Sequence, residues 1–171
     1  PTPFPTPFPT PFPTPYPTPE PISFAGYIKV SDQPLYMHSH GGSHAGTRLT
    51  LHSCPKANNH SNCQWVVEPS PTKPRCFYLR ISDTNNYAHI HGGLINGGTL
   101  TLHPCPKRND HPNCQWRFVE STTRLGHVYI RPCTTNRMAI HAWGGSLPGV
   151  TLRMHPCQTG RDHANCQWLF E

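Results

Sequence analysis

The chain has 171 residues, which suits one domain with an appendage. Only 35% of the residues are hydrophobic and 13% are charged, a composition that favours short strands and polar loops over amphipathic helices. The formal charge is +6, but the 14 Lys and Arg are scattered singly, which argues against nucleic-acid binding. No apolar stretch reaches the length that spans a bilayer.

The chain begins with a low-complexity segment, residues 1–21, in which Pro occupies every odd position. Because Pro fixes its own φ and keeps the preceding residue out of the helical region, this segment is predicted to be an extended polyproline II stalk. An aromatic residue recurs at every fourth position, at Phe4, Phe8, Phe12 and Tyr16. The intervening threonines are candidate O-glycosylation sites: Thr2, Thr6, Thr10, Thr14 and Thr18.

The stalk has two interpretations. It resembles the hydroxyproline-rich glycoproteins of plant and algal cell walls, and that resemblance implies a stiff, glycosylated spacer. Alternatively its aromatic side chains drive assembly, because they wind around a rod that has no core in which to bury them. The second interpretation predicts self-association and, in its strongest form, a structural subunit of an extracellular filament in which stalks and globular modules of neighbouring chains interlock.

Residues 22–171 are predicted to form a globular module of three repeats, at about 25–70, 76–120 and 127–171. The repeats end in the related segments LTLHSCPKANNHSNCQW, LTLHPCPKRNDHPNCQW and LRMHPCQTGRDHANCQW, whose last residues are Trp65, Trp116 and Trp168. Alternating apolar residues, such as Leu49 with Leu51, predict about four short strands in each repeat. Three such units are too few for a propeller but close naturally as an all-β β-trefoil.

Each repeat carries a trio of histidines and a pair of glycines. Imidazoles supply short, rigid hydrogen-bonding groups for sugar hydroxyls, glycines allow a close backbone, and an aromatic ring such as Trp143 supplies a flat face. The alternative interpretation is that the histidines are structural. The candidate residues of repeats 2 and 3 are His89, Gly92, Gly93, His103 and His111, and His141, Gly144, Gly145, His155 and His163.

Repeat 1 is predicted to be the weakest site. The residue before the third histidine is an acid in repeats 2 and 3, Asp110 and Asp162, but is Asn59 in repeat 1, and a carboxylate accepts stronger hydrogen bonds than an amide. Asn59 also begins a sequon for N-glycosylation, which would place a glycan in that pocket. The remaining candidates of repeat 1 are His38, Gly41, Gly42, His52 and His60.

Segments such as MHSHGG with TRLTLHS, and AHIHGG with GTLTLHP, resemble the galactose-binding β-trefoil lectins of mussels, which carry H-P-x-G-G and H-x-D-x-H motifs in each repeat. The CQW endings resemble, more distantly, the Q-x-W of ricin-B-type modules. Pro is missing after His38, His89 and His141, and the second motif is stretched. The resemblance implies the β-trefoil fold and a galactose-type ligand.

The eight cysteines are even in number, which indicates disulfides in a chain of low hydrophobicity from an oxidising compartment. The predicted pairs are Cys54–Cys63, Cys105–Cys114 and Cys157–Cys166, with Cys76–Cys133 joining repeats 2 and 3. The alternative is zinc bound by sets such as His52, Cys54, His60 and Cys63. The disulfide interpretation predicts no metal or other cofactor.

No nucleophile motif, phosphate loop or paired-carboxylate motif is present, and the chain has only eight Asp and Glu. The sequence therefore predicts a secreted, non-enzymatic protein that binds glycans and associates with itself through its stalk.

Overall fold

The computed structural model describes residues 24–107 and 110–171, so the predicted stalk and its threonines lie outside the described residues. The described chain consists of short strands joined by loops and single turns of 3₁₀ helix, at Lys56–Asn58, Ser61–Cys63, Pro112–Cys114 and Ala164–Cys166. No helix within these residues is long and apolar enough to cross a membrane. The strands are β1 Phe24–Val30, β2 Tyr36–Ser39, β3 Leu49–His52, β4 Gln64–Pro69, β5 Phe77–Ile81, β6 Tyr87–His91, β7 Thr99–His103, β8 Trp116–Glu120, β9 Val128–Pro132, β10 Ala139–Ala142, β11 Leu152–His155 and β12 Trp168–Phe170.

Six of the strands form a closed antiparallel barrel. Going around it, β1 pairs with β4, β4 with β5, β5 with β8, β8 with β9, β9 with β12, and β12 with β1. The barrel closes through single residue pairs at two of its interfaces, Phe77 with Trp116 and Val128 with Trp168, and through longer ladders at the other four.

The other six strands form three hairpins that cover one end of the barrel: β2–β3, β6–β7 and β10–β11. The hairpins meet through equivalent backbone pairs, Arg48 with Thr101, Thr99 with Arg153, and Thr50 with Thr151. This set of three hairpins is called the hairpin cap below. A six-stranded barrel with a three-hairpin cap is the β-trefoil, so the predicted fold is confirmed and the propeller alternative is excluded.

The core lies where the barrel meets the cap, and the three repeat-ending tryptophans stand at its centre with no solvent exposure. Each indole N–H donates to a carbonyl of the hairpin in its own repeat. Trp65 donates to Met37 at 2.9 Å, and Trp116 to Ala88 at 3.0 Å. The third bond, from Trp168 to Ile140, is 3.1 Å long. The apolar side chains that alternate along the strands, such as Leu49 and Leu51, are also fully buried.

The end of the barrel opposite the cap, called the barrel base below, is lined by partly buried phenylalanines. Phe118 stands between Phe77 and Phe170, with ring centroids 5.0 and 4.9 Å away, and Phe170 contacts Phe24 edge-on at 5.0 Å. Gly26 makes room for this cluster, because a Cβ there would lie 2.3 Å from the carbonyl oxygen of Glu171 and 2.9 Å from the Phe24 ring.

All eight cysteines form the four predicted disulfides. Cys76–Cys133 ties the loop before β5 to the residue after β9, and the other three each close a loop of the same length within one repeat. Because every cysteine sulfur is bonded to that of another cysteine, the thiolate ligands that the alternative zinc sites require are not available.

Candidate functional site

The first two histidines of each trio are neighbours on one face of a hairpin. In repeat 1, His52 pairs with Tyr36, two residues before His38, so the two imidazoles are diagonal neighbours across strands β2 and β3. Their ring centroids are 4.8 Å apart, and those of His89–His103 and His141–His155 are 4.7 and 4.6 Å apart.

The third histidine arrives on the disulfide-closed loop that precedes β4, β8 or β12. The His111 ring lies 5.5 Å from that of His89 and 5.9 Å from that of His103, so the three imidazoles of repeat 2 converge. His60 and His163 lie near enough to His38 and His141, respectively, to lower their pKa values. The structure therefore brings each predicted trio together, with the disulfide holding the last member in place.

The glycine pairs follow the first histidine of each trio. All six glycines have positive φ, from 82° at Gly92 to 126° at Gly42, a conformation that strains other residues. A Cβ at Gly92, Gly93, Gly144 or Gly145 would meet no atom of the described chain within 4 Å. These glycines are therefore required by the backbone turn, and the space above them is open.

The pocket of repeat 2 has a volume of about 500 Å³ and is walled by two repeats. It is lined by His89, His91, Thr99, Thr101, Leu102 and His103 from the β6–β7 hairpin, and by Gly46 and Arg48 from repeat 1. The Gly46 N–H donates to the Leu102 carbonyl at 2.8 Å, and equivalent 2.8 Å bonds join Gly97 to Met154 and Gly149 to Leu51. Sequence reasoning missed Gly46, Arg48 and Thr101, because no motif shows which repeats touch.

The site of repeat 3 differs from the others in two ways. Trp143 replaces the histidines His40 and His91 of the other repeats; its ring is 41% exposed and lies 6.1 Å from His141 and 5.9 Å from His155. Among the described residues, the buried Nδ1 of His141 has no hydrogen-bond partner. In repeat 2 the equivalent atom of His89 lies 3.5 Å from the Thr101 hydroxyl.

The predicted acidic residues have partners in the protein. Asp110 accepts hydrogen bonds from Gln115 at 2.7 Å and Thr72 at 2.9 Å, and pairs with Lys73 at 2.9 Å. The bond from Lys73 is the largest cause of the lowered pKa of Asp110. These contacts fasten the loop that carries His111 to the segment between repeats 1 and 2.

Asp162 has a similar role, since its two oxygens accept hydrogen bonds from the Arg124 guanidinium at 2.8 and 3.1 Å. This contact is the largest cause of the lowered pKa of Asp162. In repeat 1, the exposed Asn59 accepts a hydrogen bond from Gln64. Both acids therefore position the histidine loops, and whether they also contact a ligand stays a prediction.

The first histidine of each trio is neutral at physiological pH. Burial, followed by the neighbouring imidazoles, lowers the pKa of His38, His89 and His141 from 6.5 to about 4. A neutral imidazole offers one N–H donor and one acceptor nitrogen, so each pocket presents a polar but uncharged group next to its glycine pair.

Acidification from pH 6.5 to about 4 is expected to lower the free energy of unfolding. In this range the unfolded chain protonates these three histidines while the folded chain keeps them neutral, so stability falls as the pH falls. Because the imidazoles are half exposed, the expected loss is on the order of 1 kcal/mol for each. Urea unfolding across this range measures it, and a triple glutamine variant of His38, His89 and His141 is the control. If the free energy of unfolding of that variant falls equally steeply with pH, these three histidines are not the cause of the loss.

The fold and the histidine trios together define a β-trefoil whose hairpin cap carries three histidine clusters, and the cluster of repeat 2 borders an open pocket. The chain superposes on the designed threefold-symmetric protein ThreeFoil with a TM-score of 0.71 at 13% identity, covering 85% of this chain and 96% of that one. It superposes on the ricin B-like lectin of Macrolepiota procera, solved in complex with lactose, with a TM-score of 0.65 at 14% identity, covering 85% and 92% of the two chains.

The Rhizoctonia solani agglutinin gives a TM-score of 0.70 at 10% identity, covering 87% of this chain and 94% of that one. No family model and no curated protein sequence matches the chain. At these identities the comparisons establish the β-trefoil fold.

Proposed function

We propose that the protein binds galactose-type sugars in the histidine pockets of its hairpin cap, mainly in repeats 2 and 3. The observation that carries this proposal is the threefold recurrence of adjacent imidazoles on the cap hairpins, followed by positive-φ glycine pairs, with an open pocket lined by His89 and His103 in repeat 2. The pocket of repeat 2, at about 500 Å³, has the size of a small-molecule site.

The pocket chemistry suits vicinal hydroxyl groups. With His89 Nδ1 placed beside the Thr101 hydroxyl, its Nε2 is left for a ligand. His103 and His111 supply further nitrogens within one sugar ring's width, since their centroids are 5.9 Å apart. The neutral imidazole of His89 binds an uncharged sugar without the desolvation cost of a buried charge.

Repeat 3 combines the same imidazoles with an aromatic surface. The exposed ring of Trp143 stands beside His141 and His155, where it would pack against the apolar face of a pyranose. Because the Nδ1 of His141 is buried, its Nε2 is the atom left for a ligand, as in His89. The aromatic surface of Trp143 favours repeat 3 as the strongest site, and Asn59 leaves repeat 1 the weakest.

The fold comparisons support a carbohydrate ligand, because the Macrolepiota procera β-trefoil is a lectin solved with lactose. The four disulfides support an extracellular location, where such bonds persist. Among the described residues, the lining of the repeat 2 pocket includes no carboxylate, and Asp110 and Asp162 are engaged by Lys73 and Arg124, so the proposed activity is binding without catalysis.

The intact protein is expected to bind galactosides on a glycan array, and replacing Asp110 and Asp162 together with alanine is expected to abolish that binding. The double substitution frees the loops that carry His111 and His163 from their anchors. Glu120→Ala, which removes an exposed acid at the barrel base, is the matched control and should bind normally. Failure of the intact protein to bind any galactoside would refute the proposal.

A further inference from the structure

The barrel base contains an apolar cavity that the sugar-binding proposal does not use. It has a volume of about 300 Å³ and is lined by Phe24, Val67, Phe118, Glu120, Val128 and Phe170. Each repeat places its cap hairpin between its first and last barrel strands, so the cavity and the histidine pockets lie at opposite ends of the module.

The cavity wall is aromatic and only partly covered by the described chain. Phe118 and Phe170 meet edge-on at 4.9 Å and keep part of their surface accessible, while Val67 below them is almost fully buried. Grooves lined by aromatic side chains are the surfaces that recognise Pro-rich segments, because a polyproline II chain is already stiff and loses little entropy on binding.

A Pro-rich segment leads directly to this cavity. Phe24, the first described residue, lines the cavity, and the residues before it carry Pro at every odd position from Pro1 to Pro21. Within that segment Phe4, Phe8, Phe12 and Tyr16 have no predicted burial site of their own.

We propose that the barrel-base cavity binds an aromatic side chain of the Pro-rich segment of a second copy of this chain. The occupant is apolar and flanked by prolines, and the cavity is lined by three phenylalanines and two valines. An aromatic ring entering it extends the edge-on contacts that Phe24, Phe118 and Phe170 already make with one another.

The proposal takes the occupant from another molecule because a polyproline II segment, the conformation that its sequence predicts, would not turn back onto its own base. Such a segment spans about 3.1 Å per residue, which would put Phe12 about 37 Å from Phe24. Tyr16, the nearest of the four aromatics, would lie about 25 Å away. A stalk of this kind carries its rings away from its own base and towards that of a neighbour.

This contact joins two different surfaces, a stalk and a base, so it is head-to-tail and leaves a free stalk and a free base at the ends of every open oligomer. Such an interface produces open chains of molecules unless its geometry closes into a ring. Because the base and the cap lie at opposite ends, assembly through the base leaves the histidine pockets accessible. The proposal does not depend on sugar binding.

Sedimentation velocity of the full chain over a range of concentrations tests the proposal. The native chain is expected to form oligomers whose size grows with concentration. Two variants should each weaken association about 10- to 100-fold. The first is Phe118→Asp, which places a charge in the cavity. The second is a stalk variant in which all four aromatic residues are replaced by alanine: Phe4, Phe8, Phe12 and Tyr16. The control is Leu147→Asp, a charge at a residue that is 60% exposed on the cap, which should assemble normally.

The stalk variant leaves every described residue intact, so its result stands even if Phe118→Asp fails to fold. A synthetic peptide of residues 1–20 provides a second measurement, since it should bind the native chain and dissociate the oligomers. A monomeric native chain, or oligomers that persist in the stalk variant, would overturn the proposal. Oligomers that dissociate in free galactose but remain intact in the presence of the peptide would also overturn the proposal, because they would show assembly through the histidine pockets.

Discussion

Replacing Trp116 with alanine is expected to lower the free energy of unfolding by about 3–5 kcal/mol. The side chain is fully buried, and its indole N–H bonds to the Ala88 carbonyl at 3.0 Å, joining barrel strand β8 to hairpin strand β6. Alanine would leave a cavity and an unpaired carbonyl at the junction of barrel and cap. Urea denaturation followed by circular dichroism measures the change.

Trp143→Ala is the matched control for this experiment, because it removes the same side chain from a position that is 41% exposed. Its expected effect on stability is within about 0.5 kcal/mol. Equal destabilisation by the two substitutions would show that Trp116 does not have the central place in the core that its burial implies.

Replacing His141 with alanine is expected to weaken galactoside binding to repeat 3 by about 10- to 100-fold, a loss typical of removing a polar group and its packing from a binding site. The imidazole lies 4.6 Å from His155 and 6.1 Å from Trp143, so its loss opens the middle of the site. Calorimetric titration in a His89→Ala background, which disables repeat 2, isolates repeat 3.

His127→Ala serves as the control for the binding experiment. His127 belongs to no trio, and its Nδ1 lies beside the Leu125 carbonyl in the loop before β9. The variant should bind as well as the parent protein. If His141→Ala retains full affinity while Trp143→Ala loses it, the sugar would contact the indole without the histidine trio, and the proposed geometry would be wrong.

The fold was predictable because its signals are local and recur three times. Trp65, Trp116 and Trp168 mark equivalent positions, and a repeat with four alternating segments has few ways to bury them. Three of the disulfides were predictable for the same reason, since the spacing of Cys54 and Cys63 recurs in the other repeats, and Cys76–Cys133 followed as the remaining pair.

The composition of the sites was predictable only in part. The spacing of His89, His103 and His111 predicts that they share a hairpin and its following loop, but nothing in it predicts that Arg48 of another repeat borders the pocket. Likewise, the acid at Asp110 suggests a ligand contact, and only the structure shows its bonds to Lys73 and Gln115. Contacts between distant segments depend on how the threefold arrangement closes.

The contacts between neighbouring repeats determine whether a single repeat can form its part of the structure alone. Gly46 donates to the hairpin of repeat 2, Gly97 to that of repeat 3 and Gly149 to that of repeat 1, so each repeat supports the hairpin of the next around a closed ring. One repeat alone therefore has one partner of two such contacts and no complete contact. Three identical single-repeat chains arranged around the same axis would restore all three contacts without a covalent link between them.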